Sequence, residues 1–178
     1  MRLEDFLNDL GSKKGAPGGG AAAALTGAAG AALVEMTSRL NDARQARSSG
    51  NAVRAAALRK KLQGMILKDA KAFDRIKSAY KSRKTKPALW QKALKAGAEP
   101  PLRICELCAT TAVLAKNEKS RTSPWLESDR KESLILLEAA FRAAELNVEI
   151  NLKGLKDGAY GARTRKKIRQ WRQKLQRY

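Results

Sequence analysis

Apolar positions recur along the chain at three- and four-residue intervals, and no stretch of useful length alternates as a strand does. Leu3, Phe6, Leu7 and Leu10 predict a short first helix that stops at Gly11. The segment from Gly11 to Gly20 reads as a glycine-rich loop containing Pro17, and an alanine-rich helix follows from Ala21 to about Leu40. Gly27 and Gly30 fall inside it, each costing roughly 1 kcal/mol against alanine, which predicts close backbone approach to another helix. After the polar break Ser48-Ser49-Gly50, residues Leu58, Leu62, Met65, Ile66, Phe73, Ile76 and Tyr80 keep helical spacing.

Pro87 ends a basic loop, a short helix runs from Ala88 to about Ala96, and Pro100-Pro101 open a separate helix carrying Leu102, Cys105, Cys108 and Val113. Residues 117–127 are polar and read as a loop. Leu134, Leu137, Phe141, Ala144 and Val148 form the seam of a long amphipathic helix whose N-cap is Ser128 or Asp129. The last helix, from about Ala162, places Ile168, Trp171, Leu175 and Tyr178 on one side and basic residues over the rest. The expectation is an all-α, single-domain bundle of six or seven helices without internal repeats. Residues 1–160 form the body, and a basic C-terminal helix over 161–178 packs on it.

Composition agrees with helix-on-helix packing: 43% hydrophobic and 30% charged residues, but only 5% aromatic. The net charge of +20 is concentrated. Arg39 to Lys95 holds 17 basic and 3 acidic residues, Lys153 to Tyr178 holds 10 and 1, and the remainder is slightly acidic. Such segregation points to a polyanionic partner, with solvated basic helix faces as the alternative.

The chain has no histidine and only two cysteines, Cys105 and Cys108. One C-x-x-C pair cannot complete a structural zinc site, and within an apolar helical run both thiols read as core side chains. Ser-His and Cys-His catalytic pairs are excluded, so acid–base chemistry falls to carboxylates, lysines or tyrosines. Gly15 to Val34 is uncharged, yet its strong hydrophobes are only Leu25, Leu33 and Val34, which argues against a membrane span. Glu4, Asp5 and Asp9 argue against a signal peptide, so the expected location is cytoplasmic.

Three stretches, in order, resemble the cyclodeaminase/cyclohydrolase family of tetrahydrofolate enzymes, which includes the C-terminal domain of formiminotransferase–cyclodeaminases. They are FLNDLGSKKGAPGGGAAAALTGAAGAALVEM (Phe6 to Met36), DAKAFDRIKSAY (Asp69 to Tyr80) and SDRKESLILLEAAFRAAELNVEINLKGLKD (Ser128 to Asp157). The resemblance implies an all-helical homodimer acting on one-carbon adducts of tetrahydrofolate without a metal or bound cofactor. One reaction closes the 5-formimino adduct to the methenyl form with loss of ammonia; the other opens the methenyl bridge with water. It also implies Asp129 as the acid–base residue, with Gly18, Gly19, Gly20, Asp69, Asp74, Tyr80 and Ser128 around the folate. The Gly18-Gly19-Gly20 turn opens a helix N-terminus, which suits a carboxylate or phosphate. Asp69 and Asp74, five residues apart, do not share a helical stripe, and at least one is expected to face solvent.

The chain departs from the family pattern at three loops. Thr122-Ser123-Pro124-Trp125 stands where the family carries Gly-Asn-x-Asn, and Leu40 to Arg47 replaces a Thr-x-Gly-Lys-Lys-like loop. Lys81 to Lys84 stands in place of Leu-Pro-Lys. A second reading therefore stays open: a non-catalytic relative that binds nucleic acid (RNA or a ribonucleoprotein) through Lys81, Arg83, Lys84, Lys86, Arg163, Arg165, Lys166, Lys167 and Arg169.

Overall fold

The computed structural model describes residues 2–176, and these form six α-helices: α1 (Leu3–Leu10), α2 (Gly19–Ala43), α3 (Asn51–Lys81), α4 (Pro87–Asn117), α5 (Glu127–Lys153) and α6 (Gly158–Gln176). Two 3-10 turns, Lys119–Arg121 and Pro124–Leu126, join α4 to α5, and no strand occurs among the described residues. The all-α expectation holds. Tyr178, expected on the inner side of the last helix, lies outside the described residues.

α2 is the central helix. It packs against α3 and α5, α4 closes the other side of those two, and α6 lies along α4. What lets α2 sit there is its lack of bulk, since Ala21, Ala23, Ala24, Gly27, Ala28, Gly30 and Ala31 are all buried. A Cβ on Gly27 would stand 3.0 Å from Cys108 Sγ, and one on Gly30 would stand 2.9 Å from Leu137 Cγ and 3.1 Å from the Ser133 carbonyl. The close approach expected from these glycines is present. Gly30→Ala therefore loses about 1–3 kcal/mol to overpacking, although alanine is the better helix former. Urea denaturation measures this, and a stabilised variant would refute it.

The α5 seam is buried throughout, and Ile168 and Leu175 anchor α6 with half-buried Trp171 beside them. By length and composition Gly19–Ala43 could cross a membrane, but half of its most apolar window is buried inside the bundle, as in a core helix. Cys105 and Cys108 are free and buried, and burial pushes both thiols up, Cys108 to about 12. They are inert core side chains at neutral pH.

Three local expectations are corrected. First, α4 is one continuous helix through Pro100 and Pro101. The missing N–H groups leave the Ala96 and Gly97 carbonyls without their helical donors, and Asn151 Nδ2 supplies one to the Gly97 oxygen at 3.3 Å. Second, α5 starts at Glu127, so Ser128 and Asp129 occupy its first turn and do not cap it. The 3-10 turn Pro124–Leu126 feeds directly into it, and Glu127 is held by the buried Arg130 through two 2.7 Å hydrogen bonds. Third, α6 starts four residues early, because the Asp157 carboxylate accepts the Tyr160 N–H at 2.9 Å and so starts it at Gly158. Phe73 and Tyr80 lie within α3 as their helical spacing predicts, and both are about half exposed.

Candidate functional site

Where α2 begins, the chain makes a tight turn that only glycine suits. Gly15 adopts φ 79°, in the left-handed region, and Gly18 precedes the first helical residue, Gly19. Gly20 is buried so closely against α3 that a Cβ there would collide with the Asp69 carboxylate. Asp69 in turn accepts a hydrogen bond from the Ala21 N–H. The chain's own Asp69 carboxylate thus sits at this helix N-terminus, where the partial positive charge favours it.

The turn forms one wall of a cleft of about 200 Å³. α3 contributes Asp69, Ala72, Phe73 and Ile76; α4 contributes Gly97; α5 contributes Asn147 and Asn151. Among the described residues no lysine or arginine lines it, although the chain is strongly basic. Burial is the dominant influence on Asp69 and holds its carboxyl above the usual carboxylate range, against the opposing Ala21 hydrogen bond. The arrangement suits proton transfer to and from a neutral or cationic ligand. Among the described residues, no three histidine, cysteine or carboxylate side chains converge as metal ligands would.

The structure gathers Gly18, Gly19, Gly20 and Asp69 as expected, and it separates the others. Asp74 is exposed and lines a different groove of about 480 Å³ with Arg75, Ser78, Leu89 and Lys92. Tyr80 stands edge-to-face with Trp90 at 5.7 Å, with the Arg83 guanidinium 3.7 Å over its ring. Ser128 and Asp129 do not meet the glycine turn within the protomer. Asn147 lies eighteen residues further along α5, about 27 Å at roughly 1.5 Å per residue.

Of the basic residues, Lys81, Lys84, Lys86, Arg163, Lys166, Lys167 and Arg169 are exposed. Arg165 is committed to Glu149 at 2.9 Å and Arg83 to Tyr80, so these two are not free contacts. Sequence reasoning missed Asn147 and Asn151 as site residues. Their signal was available: two amides four apart fall on one helix face.

The family model described as formiminotransferase-cyclodeaminase matches residues 2–170. A methenyltetrahydrofolate cyclohydrolase from Methylorubrum extorquens is 34% identical, over 93% of this chain and 86% of that protein. A formimidoyltransferase-cyclodeaminase from Sus scrofa is 30% identical over 93% of this chain, which corresponds to 33% of that longer protein. The crystal structure of a formiminotetrahydrofolate cyclodeaminase from Thermotoga maritima superimposes with a TM-score of 0.91 at 25% identity, covering 98% of this chain and 90% of that one. With a family model matching residues 2–170 and a relative 34% identical over most of both chains, the chain belongs to the formiminotransferase-cyclodeaminase family.

Proposed function

We propose that the protein is an enzyme of one-carbon tetrahydrofolate chemistry, a methenyltetrahydrofolate cyclohydrolase or a formimidoyltetrahydrofolate cyclodeaminase, with Asp69 as its acid–base group. The observation that carries this reading is a carboxyl pushed up by burial, set in a cleft free of cationic side chains. As a hydrolase, Asp69 takes a proton from the water that attacks the bridge carbon. It returns that proton to N5 as the carbon–nitrogen bond breaks, and the adduct's hydroxyl proton leaves to solvent as the formyl C=O forms. As a deaminase, N10 attacks the formimino carbon and Asp69 supplies the proton with which ammonia departs. One group with a raised pKa serves either direction.

Incubation with each substrate separates the two activities, because only the formimino adduct releases ammonia. Absence of both activities, with methenyltetrahydrofolate left unbound, would sink the reading. Asp129, implied by the resemblance, is the competing candidate. Asp129→Asn is expected to retain turnover within about threefold, against the 10²–10⁴-fold loss typical of a general acid–base residue.

The protein forms a homodimer in this reading. Ile135, Leu146 and Ile150 are more than 60% exposed on the outer side of α5, an aliphatic stripe that a second copy would cover. Light scattering is expected to give about twice the 19.5 kDa of the chain. A monomer at micromolar concentration would remove this element.

One observation favours polyanion binding as an additional property. Arg54, Lys61, Lys68 and Arg75 recur every seven residues on the exposed side of α3, and none makes an ion pair with another described residue. Affinity for duplex RNA that falls steeply with salt would support it; salt-insensitive binding would count against it.

A further inference from the structure

The two asparagines of the cleft are held in one orientation each. Asn147 Nδ2 donates to the Ala143 carbonyl at 2.9 Å. Asn151 Nδ2 donates to the Asn147 carbonyl at 2.9 Å and to the Gly97 carbonyl at 3.3 Å. Backbone carbonyls only accept, so the amide nitrogens must face them and neither side chain can be turned over. Both side-chain oxygens are thereby left as acceptors, and no described residue donates to either. Gly19 and Gly97 bring backbone close to these amides, and at Gly97 the place of a Cβ is taken by the Ile76 side chain. A Cβ at Gly19 would stand 3.9 Å from Asn147 Oδ1, and one at Gly97 would stand 3.1 Å from Asn151 Oδ1.

The prolines of α4 enter here. Pro101 has no N–H for the Gly97 carbonyl, and that released carbonyl is what Asn151 grips. The missing N–H of Pro101 thus fixes an acceptor in the cleft. With Asp69 the site offers three acceptors, and no cationic side chain lines it. Such a wall selects a ring edge that presents N–H donors, and it penalises one that lacks them, because unpaired acceptors would then be shut away from water.

We infer that Asn147 and Asn151 are the specificity-determining residues of the cleft, and that their side-chain oxygens receive the N3–H and 2-amino donors of a reduced pterin ring. The inference rests on the folate reading and goes beyond it by assigning the ring edge. Asp69 is left to the one-carbon bridge. Asn151 is both a contact to the ring and a group positioned by Gly97.

The test is anaerobic calorimetry of the full chain with 6-methyltetrahydropterin and with its counterpart lacking the 2-amino group. Wild type is expected to bind the amino form at least tenfold more tightly. Of Asn147→Leu and Asn151→Leu, the variant that removes the acceptor of the 2-amino group should weaken the amino form about tenfold and leave the other within twofold, and the variant that removes the acceptor of N3–H should weaken both rings about tenfold. Asn151→Asp keeps an acceptor but cannot donate to Gly97, and should fall between. Equal binding of the two rings by wild type, or both leucine variants weakening the two rings alike, overturns the inference and leaves the folate reading standing. Wild type that binds neither ring overturns both. Should a leucine variant fail to fold, the wild-type comparison still decides the question.

Discussion

Asp69→Asn should abolish most turnover while leaving the fold as stable as before or more so. The two halves of that expectation have one cause. Burial raises the Asp69 carboxyl above its value in the unfolded chain. For a raised acid, the stability contributed is fully present below the unfolded pKa and is lost as pH rises through the folded one. At neutral pH the ionised carboxylate is therefore a net cost to folding. Asparagine removes that cost and still accepts the Ala21 N–H through its amide oxygen.

Turnover depends on the proton that asparagine cannot carry, so kcat should fall by about 10²–10⁴-fold. The acid limb of the wild-type rate profile should also lie above the ordinary carboxylate range and vanish in the variant. Thermal melts at neutral and acid pH, with rates on the same samples, check both halves. A variant that keeps its rate, or one that unfolds at neutral pH, refutes the assignment.

The largest expected loss of stability is far from the cleft. Glu118, fully buried at the end of α4, accepts hydrogen bonds from Asn51 Nδ2 at 2.7 Å, Asn41 Nδ2 at 2.8 Å and Ser49 Oγ at 2.8 Å. One side chain thereby ties α2, the α2–α3 connection and the start of α3 to α4. Glu118→Ala leaves those donors buried and unmet, at about 3–5 kcal/mol. That is a large share of the 5–15 kcal/mol typical of a domain, and it should lower Tm on the order of 10 °C. Glu118→Gln keeps the shape but turns an amide N–H₂ toward at least one of these donors, so an intermediate loss of about 1–3 kcal/mol follows. Urea titration distinguishes the three proteins. An alanine variant within 1 kcal/mol of wild type would show that water satisfies those groups instead.

The helices were legible wherever periodicity decided the matter. The α5 seam from Leu134 to Val148 and the cysteines of α4 went to the core as their spacing required. The failures have a common origin in tertiary contacts. Pro100 and Pro101 read as a helix start because local chemistry forbids them inside one, and the partner that rescues the Gly97 carbonyl lies 54 residues away. Asp129 and Asp69 look alike in sequence, each a carboxylate on a helix. Only assembly shows that one is buried against the glycine turn while the other stands at the far end of α5. Asn147 and Asn151 carried a readable spacing inside a family-like segment. The family's own amides belong to the loop before Ser128, where this chain has Thr122-Ser123-Pro124-Trp125 instead.

The small residues of α2 have a bearing on how the cleft meets its ligand. Burying a leucine or methionine freezes rotamers, whereas alanine and glycine have none to lose. Almost every buried position in the first half of α2 is one of these two. The N-terminal turn, and the Asp69 carboxylate seated on it, thus rest on a support with no side-chain torsions through which to relax. A ligand entering the cleft meets a wall that was ordered when the chain folded, so little of its binding free energy goes to ordering that wall.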